Sequence, residues 1–203
     1  MTTQHRKIFL DCGTNIGQGF RQFIKAGKIV NDTEIHCFEP NPFCEIDVTR
    51  LKAIAIEEGL ASCNKIFFYQ TAILDRDGVS SIFVRDDEKN HVATCLQNIG
   101  NSETQRFQKI GGVDVEVTTT RLTKFIDDLQ LTTGDELIIK IDIEGSEFLV
   151  LLDMCENFKH WHVLKDIFVE WHERFISHFD PHSARSYIEK VFRDNSVEIT
   201  PWF

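Results

Sequence analysis

Four acids stand where a ligand-binding rim would need them. Asp11, Glu39, Asp142 and Glu170 each follow a short, largely apolar run: Ile8-Phe9-Leu10, Glu34 to Phe38, Leu137 to Ile141, and Ile167-Phe168-Val169. Glycine turns follow two of them, at Gly13 and at Gly145. Such runs read as buried strands of a parallel sheet, and carboxylates at their carboxyl ends share the edge where open α/β sheets bind ligands. His172 lies two residues past Glu170, so on a continuing strand it points to the same side. Carboxylates and an imidazole on one rim can accept protons, hold ribose hydroxyls or ligate a divalent ion.

The turn after the first run is Asp11-Cys12-Gly13-Thr14-Asn15-Ile16-Gly17-Gln18-Gly19. Its glycines at 13, 17 and 19 miss the G-x-G-x-x-G spacing of a dinucleotide site, and no G-x-x-x-x-G-K-[ST] phosphate loop is present. Asp11, just before the turn, would repel a phosphate. S-adenosylmethionine carries an ammonium and a sulfonium and no phosphate, so an acid there suits it. Gly13 allows backbone approach to the ligand. Glu39, one strand-helix-strand unit later, can accept both ribose hydroxyls.

These residues must be positioned by alternating strands and helices. Lys7 to Cys12 reads as the first strand and Gly17 to Gly27 as a helix, with Phe20, Phe23 and Ile24 inward. Glu34 to Phe38 is a strand stopped by Glu39-Pro40-Asn41-Pro42, Phe43 to Gly59 a helix, and Lys65 to Tyr69 a third strand. Three such alternations predict a doubly wound, mostly parallel sheet with helices on both faces. Further strands are expected over Val79 to Val84, Val113 to Thr119, Leu137 to Ile141, Leu164 to Trp171 and Val197 to Trp202. Helices are expected over Leu122 to Leu129 (N-capped by Thr120), Phe148 to Phe158 and Pro181 to Asp194. Residues 85–112 are polar and read as an irregular loop, an acceptor lid within a single domain spanning 1–203.

A formal net charge of −10 argues against nucleic acid or an anionic membrane as the main partner. None of the six cysteines forms a C-x-x-C pair, so zinc-ribbon and thioredoxin chemistry find no support. Free thiols, no apolar run long enough for a membrane span and no signal-peptide apolar region together give a cytoplasmic expectation.

Three stretches, taken in order, are similar to the FkbM-type methyltransferase family: Asp11 to Gln18, Phe38-Glu39-Pro40-Asn41-Pro42, and Lys140-Ile141-Asp142-Ile143-Glu144-Gly145-Ser146-Glu147. The first is shared by most Rossmann-like methyltransferases; the combination of the other two is more specific. The resemblance implies a class I fold with S-adenosylmethionine as methyl donor and a hydroxyl acceptor on a sugar or polyketide-like product. It also implies that Asp11, Gly13, Thr14, Asn15 and Gly17 meet the methionine part of the donor, that Glu39 holds the ribose, and that Phe38 or Pro40 packs near the adenine. Thr71-Ala72-Ile73 matches the family's turn near the base, and Asp142 also reaches the donor. Cys12 and Thr14 depart mildly from the pattern. The C-terminus departs more, having room for one strand where a pair is usual, so the sheet is trimmed or the chain is a domain of something longer.

At the acceptor, methyl transfer needs an aligned oxygen and a destination for its proton. His172 is the first base expected and Glu144 the second. Asp142 and Glu170, at the ends of adjacent strands, could hold magnesium or manganese; this arrangement is similar to metal-dependent O-methyltransferases of the same fold. The alternative is that Asp142 contacts donor or acceptor directly while Glu170 is structural. Glu147 reads as an acid favouring a helix N-terminus. His160 and His162, His178 and His182, and the run Asp86-Asp87-Glu88 read as surface features, while His91 could fold over the site. Trp161, Trp171 and Trp202 are sugar-stacking candidates, with core packing favoured for Trp171. The expected function is O-methylation of a sugar hydroxyl on a glycan or glycoside. Its rivals are an amino or other small-molecule acceptor, a non-catalytic donor-binding module, and, more distantly, a nicotinamide dehydrogenase.

Overall fold

In the computed structural model, residues 5–61, 65–85, 94–96, 112–173 and 179–202 are described. Among these described residues, ten strands and five helices follow in chain order. They are β1 (Lys7–Cys12), α1 (Gln18–Lys25), β2 (Glu34–Phe38), α2 (Val48–Glu57), β3 (Ile66–Tyr69), β4 (Ala72–Leu74), β5 (Gly78–Arg85), β6 (Thr94–Leu96) and β7 (Gly112–Arg121). Then come α3 (Leu122–Asp128), β8 (Glu136–Ile141), α4 (Glu147–Asn157), β9 (Leu164–Val169), α5 (Pro181–Asp194) and β10 (Ile199–Pro201).

Six strands form one sheet in the order β10-β9-β8-β1-β2-β3, and every neighbouring pair is parallel. Renumbered within the sheet this is the doubly wound order 3-2-1-4-5-6, whose direction of winding reverses between β1 and β8. Side chains alternate across it. Phe9, Ile35, Cys37 and Ile138 pack with Phe20 and Phe23 of α1 and Leu51 and Ile54 of α2. Ile8, Leu10, Ile139 and Ile141 pack with Leu122 and Ile126 of α3, Phe148 and Leu151 of α4, and Ile188 and Phe192 of α5. Both faces are therefore covered, which is why β1 and β8 read as nearly continuous apolar runs.

The second sheet was not foreseen. β4-β7-β5-β6 form a separate four-stranded sheet, with β4 parallel to β7 and the other pairs antiparallel. The stretch 85–112, expected to be irregular, thus contains the last residue of β5, β6 and the start of β7; its remaining residues, with His91 and the Asp86–Glu88 run, lie outside those described. The second helix begins at Val48, five residues later than expected, because Asp47 caps it by accepting from Arg50 N at 2.7 Å. Thr120 does not cap α3. Arg121 takes that position, and the Thr120 hydroxyl lies 3.2 Å from that of Thr71 instead. α5 begins at Pro181 as expected, with the Asp180 side chain accepting from His182 N and Ser183 N.

Candidate active site

The reversal point between β1 and β8 requires the two strand tips to touch. Gly13 N and Thr14 N both donate to Phe38 O, at 3.0 and 2.9 Å, and Asp142 N donates to Cys12 O at 3.1 Å. This closeness is what glycine permits. Gly13 has φ +84°, and a Cβ there would sit 1.8 Å from the Asp142 carbonyl oxygen. A cavity of about 230 Å³ opens above these tips. Its lining includes Phe38, Glu39 and Pro40 past β2, Asp142, Glu144 and Glu170 past β8 and β9 on the other side of β1, and Ala72, Ile73 and Ile82 from the four-stranded sheet. Gly13, Thr14, Asn15 and Lys140 lie on its wall as well.

Glu39 joins two of the motif turns. Its Oε2 accepts from Asn15 N at 2.8 Å and its Oε1 from Asn41 N at 2.9 Å. Burial pushes its pKa up, while those two N–H groups and Lys140 work against that. A carboxylate has about four acceptor sites, so two remain for a ligand's hydroxyls. Asn15 takes a left-handed backbone, φ 50°, and its Oδ1 accepts from Ile16 N at 2.7 Å, which holds the turn in shape.

Asp11 is placed differently from the sequence expectation. It is fully buried and does not line the cavity. Lys140 lies between it and the ligand space, with Nζ 3.2 Å from Asp11 Oδ1, 3.2 Å from Asp142 Oδ2 and 2.7 Å from Gly13 O, to which it donates. Neither Asp11 oxygen has an aligned hydrogen-bond donor, so the carboxylate is held by charge. Desolvation works to discharge Lys140, but the two flanking carboxylates outweigh it and keep the ammonium charged. Asp11 therefore faces Lys140 rather than the cavity, and Lys140 ties the glycine turn to Asp142. Lys140 was missed in the sequence. The available signal was a lysine inside an aliphatic strand, which demands a buried counter-charge. Gly17 also lies off the cavity. It caps α1 at φ 88°, where a Cβ would meet Ile54 Cδ1 at 2.7 Å.

The acidic end is organised around His172, which is 4% exposed. Its Nδ1 lies 2.8 Å from Glu147 Oε1. Nε2 lies 3.4 Å from Glu144 Oε2 and 3.5 Å from Glu170 Oε1. Glu147 opens α4, the helix N-terminus expected for it. It is fully buried and folds back on its own turn, accepting from Ile143 N at 3.0 Å and from Gly145 N at 2.9 Å. Burial lowers the His172 pKa, but the Glu147 hydrogen bond and the charges of Glu147, Glu144 and Asp142 outweigh it and push it up to about 9. Glu144 lines the cavity from a left-handed backbone, φ 52°, a conformation rare for a non-glycine residue and concentrated at functional sites. Glu170 lines it too, its pKa raised by burial and by the nearby Asp142. One ligand atom from each of Asp142, Glu170 and His172 lies within 4.8 Å of the others.

The remaining candidates lie elsewhere. Trp171 packs on Phe148, with centroids 5.0 Å apart, Trp161 on Phe158 and Phe192, and Trp202 on Phe23. None of the three lines the cavity. His160 Nε2 lies 2.8 Å from Asp127 Oδ1, and its ring sits 6.4 Å from that of His162. His182 is exposed beside Glu173, and His178 lies outside the described residues. Among the described residues, no helix is long and apolar enough to cross a membrane.

The sequence profile of the methyltransferase FkbM domain matches residues 11–193, most of the chain. No curated protein matches. Among solved structures, the Cu(II) complex of the HOCl-induced flavoprotein disulfide reductase RclA from Escherichia coli aligns over 97% of this chain and 48% of its own. The identity is 9% and the TM-score 0.19, and a likeness that weak carries no argument.

Proposed function

Because the chain belongs to the FkbM methyltransferase family, we propose that it transfers the methyl group of S-adenosylmethionine to a hydroxyl oxygen of a sugar on a glycan or glycoside. The observation that carries this reading is the polarity of one cavity. Its Glu39 end combines a carboxylate with Phe38 and Pro40, and Ala72 and Ile73 add apolar lining, which suits a ribose and a flat base. Its other end gathers Asp142, Glu144 and Glu170, which suits an acceptor that must lose a proton. Between them the backbone of Gly13 to Asn15 and the side chain of Asp142 can receive the methionine part, whose ammonium and sulfonium match nearby carboxylate charge.

The transfer is an in-line displacement. The acceptor oxygen attacks the methyl carbon, the carbon–sulfur bond breaks, and S-adenosylhomocysteine is left with the electron pair. The hydroxyl proton goes to Glu144, a carboxylate that lines the cavity beside His172 Nε2. Asp142 aligns the acceptor from a backbone fixed by Cys12 O, so the reacting atoms are held close before the barrier is climbed.

Calorimetry with S-adenosylhomocysteine, followed by methyl-transfer assays over a panel of free sugars, glycosides and amino sugars, tests this. Binding of the homocysteine product together with methyl ether formation is expected. Product binding without transfer to any acceptor would favour a donor-binding module, and methylamine formation an amino acceptor. Stabilisation by NAD but not by S-adenosylhomocysteine would overturn the reading.

A further inference from the structure

We infer that Asp142, Glu170 and His172 form a site for one divalent cation, best matched by manganese(II), with Glu147 as the residue that orients the histidine. The use of that ion in catalysis rests on the methyl-transfer reading; its binding does not.

The geometry comes first. An ion with metal–oxygen bonds of about 2.1–2.3 Å separates opposite ligands by roughly 4.4 Å. The three ligand atoms lie within 4.8 Å of one another, so small side-chain adjustments bring them onto one centre. Asp142 and Glu170 stand one residue past the adjacent parallel strands β8 and β9, whose ends are joined by Glu170 N donating to Ile141 O at 2.9 Å. The imidazole is fixed independently. Its Nδ1 is committed to Glu147, and Glu147 is itself buried and held by two backbone N–H groups. Nε2 faces the carboxylates, 3.4 Å from Glu144 Oε2 and 3.5 Å from Glu170 Oε1. A carboxylate behind the ring is the usual device that sets the tautomer and direction of a metal-binding histidine.

Charge points the same way. Asp11, Asp142, Glu144, Glu147 and Glu170 converge on a region where Lys140, the buried lysine among the described residues, is already engaged by Asp11 and Asp142. A dication beside Glu170 and His172 offsets the carboxylates that Lys140 does not reach. One imidazole nitrogen with two carboxylates suits manganese(II) better than magnesium, which prefers an all-oxygen shell. Asp142 and Glu170 line the cavity, so the open coordination positions face the acceptor end, where water or an acceptor hydroxyl can complete the shell.

The test is titration of manganese(II) into the metal-free full chain. It is followed by loss of the free-ion paramagnetic resonance signal and by spin-echo detection of a coordinated nitrogen. One ion per chain with nitrogen coupling is expected in the parent protein. E170Q should weaken binding at least about tenfold, E147Q by about 10- to 100-fold, and H172Q should abolish the nitrogen coupling. Thermal unfolding of each variant without metal checks that it folds. The Glu170 side chain is 37% exposed, so E170Q is the variant most certain to do so. Manganese affinity unchanged in E170Q, or bound manganese without nitrogen coupling, overturns the site. A parent protein that binds S-adenosylhomocysteine but no manganese overturns the site and leaves the donor reading intact. Manganese bound with nitrogen coupling in a protein that ignores S-adenosylhomocysteine does the reverse.

Discussion

Replacing Lys140 by methionine removes a buried charge and leaves two carboxylates facing an apolar stem. Lys140 Nζ is 3.2 Å from each of Asp11 Oδ1 and Asp142 Oδ2. At an effective dielectric near 20, each contact is worth about 5 kcal/mol of attraction, set against the cost of desolvating the ions. Removing one partner of a buried pair typically costs about 3–5 kcal/mol, because the other charge is stranded. Asp11, fully buried and with no aligned donor, is the group stranded most completely. K140M should therefore cost about 4 kcal/mol, a large part of the 5–15 kcal/mol typical of a whole domain. D11N alone leaves Lys140 with Asp142 and should cost about 2 kcal/mol. In the double variant the stranded charge is gone, so the loss should fall short of the sum by about 2–3 kcal/mol. Urea unfolding followed by tryptophan fluorescence gives all three values. Additivity within about 0.5 kcal/mol would refute the view that Asp11 exists to hold Lys140.

Three further outcomes are expected. G13A places a methyl group 1.8 Å from the Asp142 carbonyl oxygen at φ +84°, so it should cost more than about 2 kcal/mol in urea unfolding and abolish calorimetric binding of S-adenosylhomocysteine. E39Q should weaken S-adenosylhomocysteine binding by about 10- to 100-fold, since hydrogen bonds to a charged acceptor are worth about 1.5–3 kcal/mol each. Asp135 supplies the acid-side pH dependence. Burial tends to raise its pKa, but hydrogen bonds from Arg6 and Thr132 outweigh this and depress it from 3.8 to about 2. The stability it contributes, about 2 kcal/mol, is complete above the unfolded value and lost as pH falls through about 2, so D135N should flatten the urea midpoint between pH 4 and pH 2.

The six-stranded sheet was legible because its strands are short, apolar and buried on both faces, a pattern that needs no knowledge of partners. The acids just past β2, β8 and β9 were legible for the same reason: strand ends in a parallel sheet share a rim. What was hidden depended on distant partners. β4 is three residues whose register with β7 pairs Ala72 with Thr119, and nothing local announces it. Glu147 looked like any acid in a first helical turn, because its return onto Ile143 N and Gly145 N depends on the angle at which the chain leaves β8. The surroundings of His172 were hidden because Glu144 and Glu147 follow β8, and Glu147 reaches the ring from 25 residues earlier in the chain. Asp11 looked like a ligand contact because a lysine 129 positions later fills the space in front of it.

The cavity has walls of two origins. Glu39, Asp142 and Glu170 stand at the edge of the six-stranded sheet, while Ala72, Ile73 and Ile82 belong to the four-stranded one. No strand is shared between the two ladders; they meet through packing, with Ile73 of β4 in the same buried cluster as Leu10 of β1 and Phe38 of β2. Descent with modification can therefore treat them as separate inheritances. A lineage that lengthens, shortens or recolours the smaller sheet alters what fits against one wall while every backbone bond beneath Gly13, Glu39 and Asp142 stays as it was. Relatives of this chain should diverge fastest along β5 and β7, and chimaeras that exchange those strands as a pair should keep the donor and change the guest.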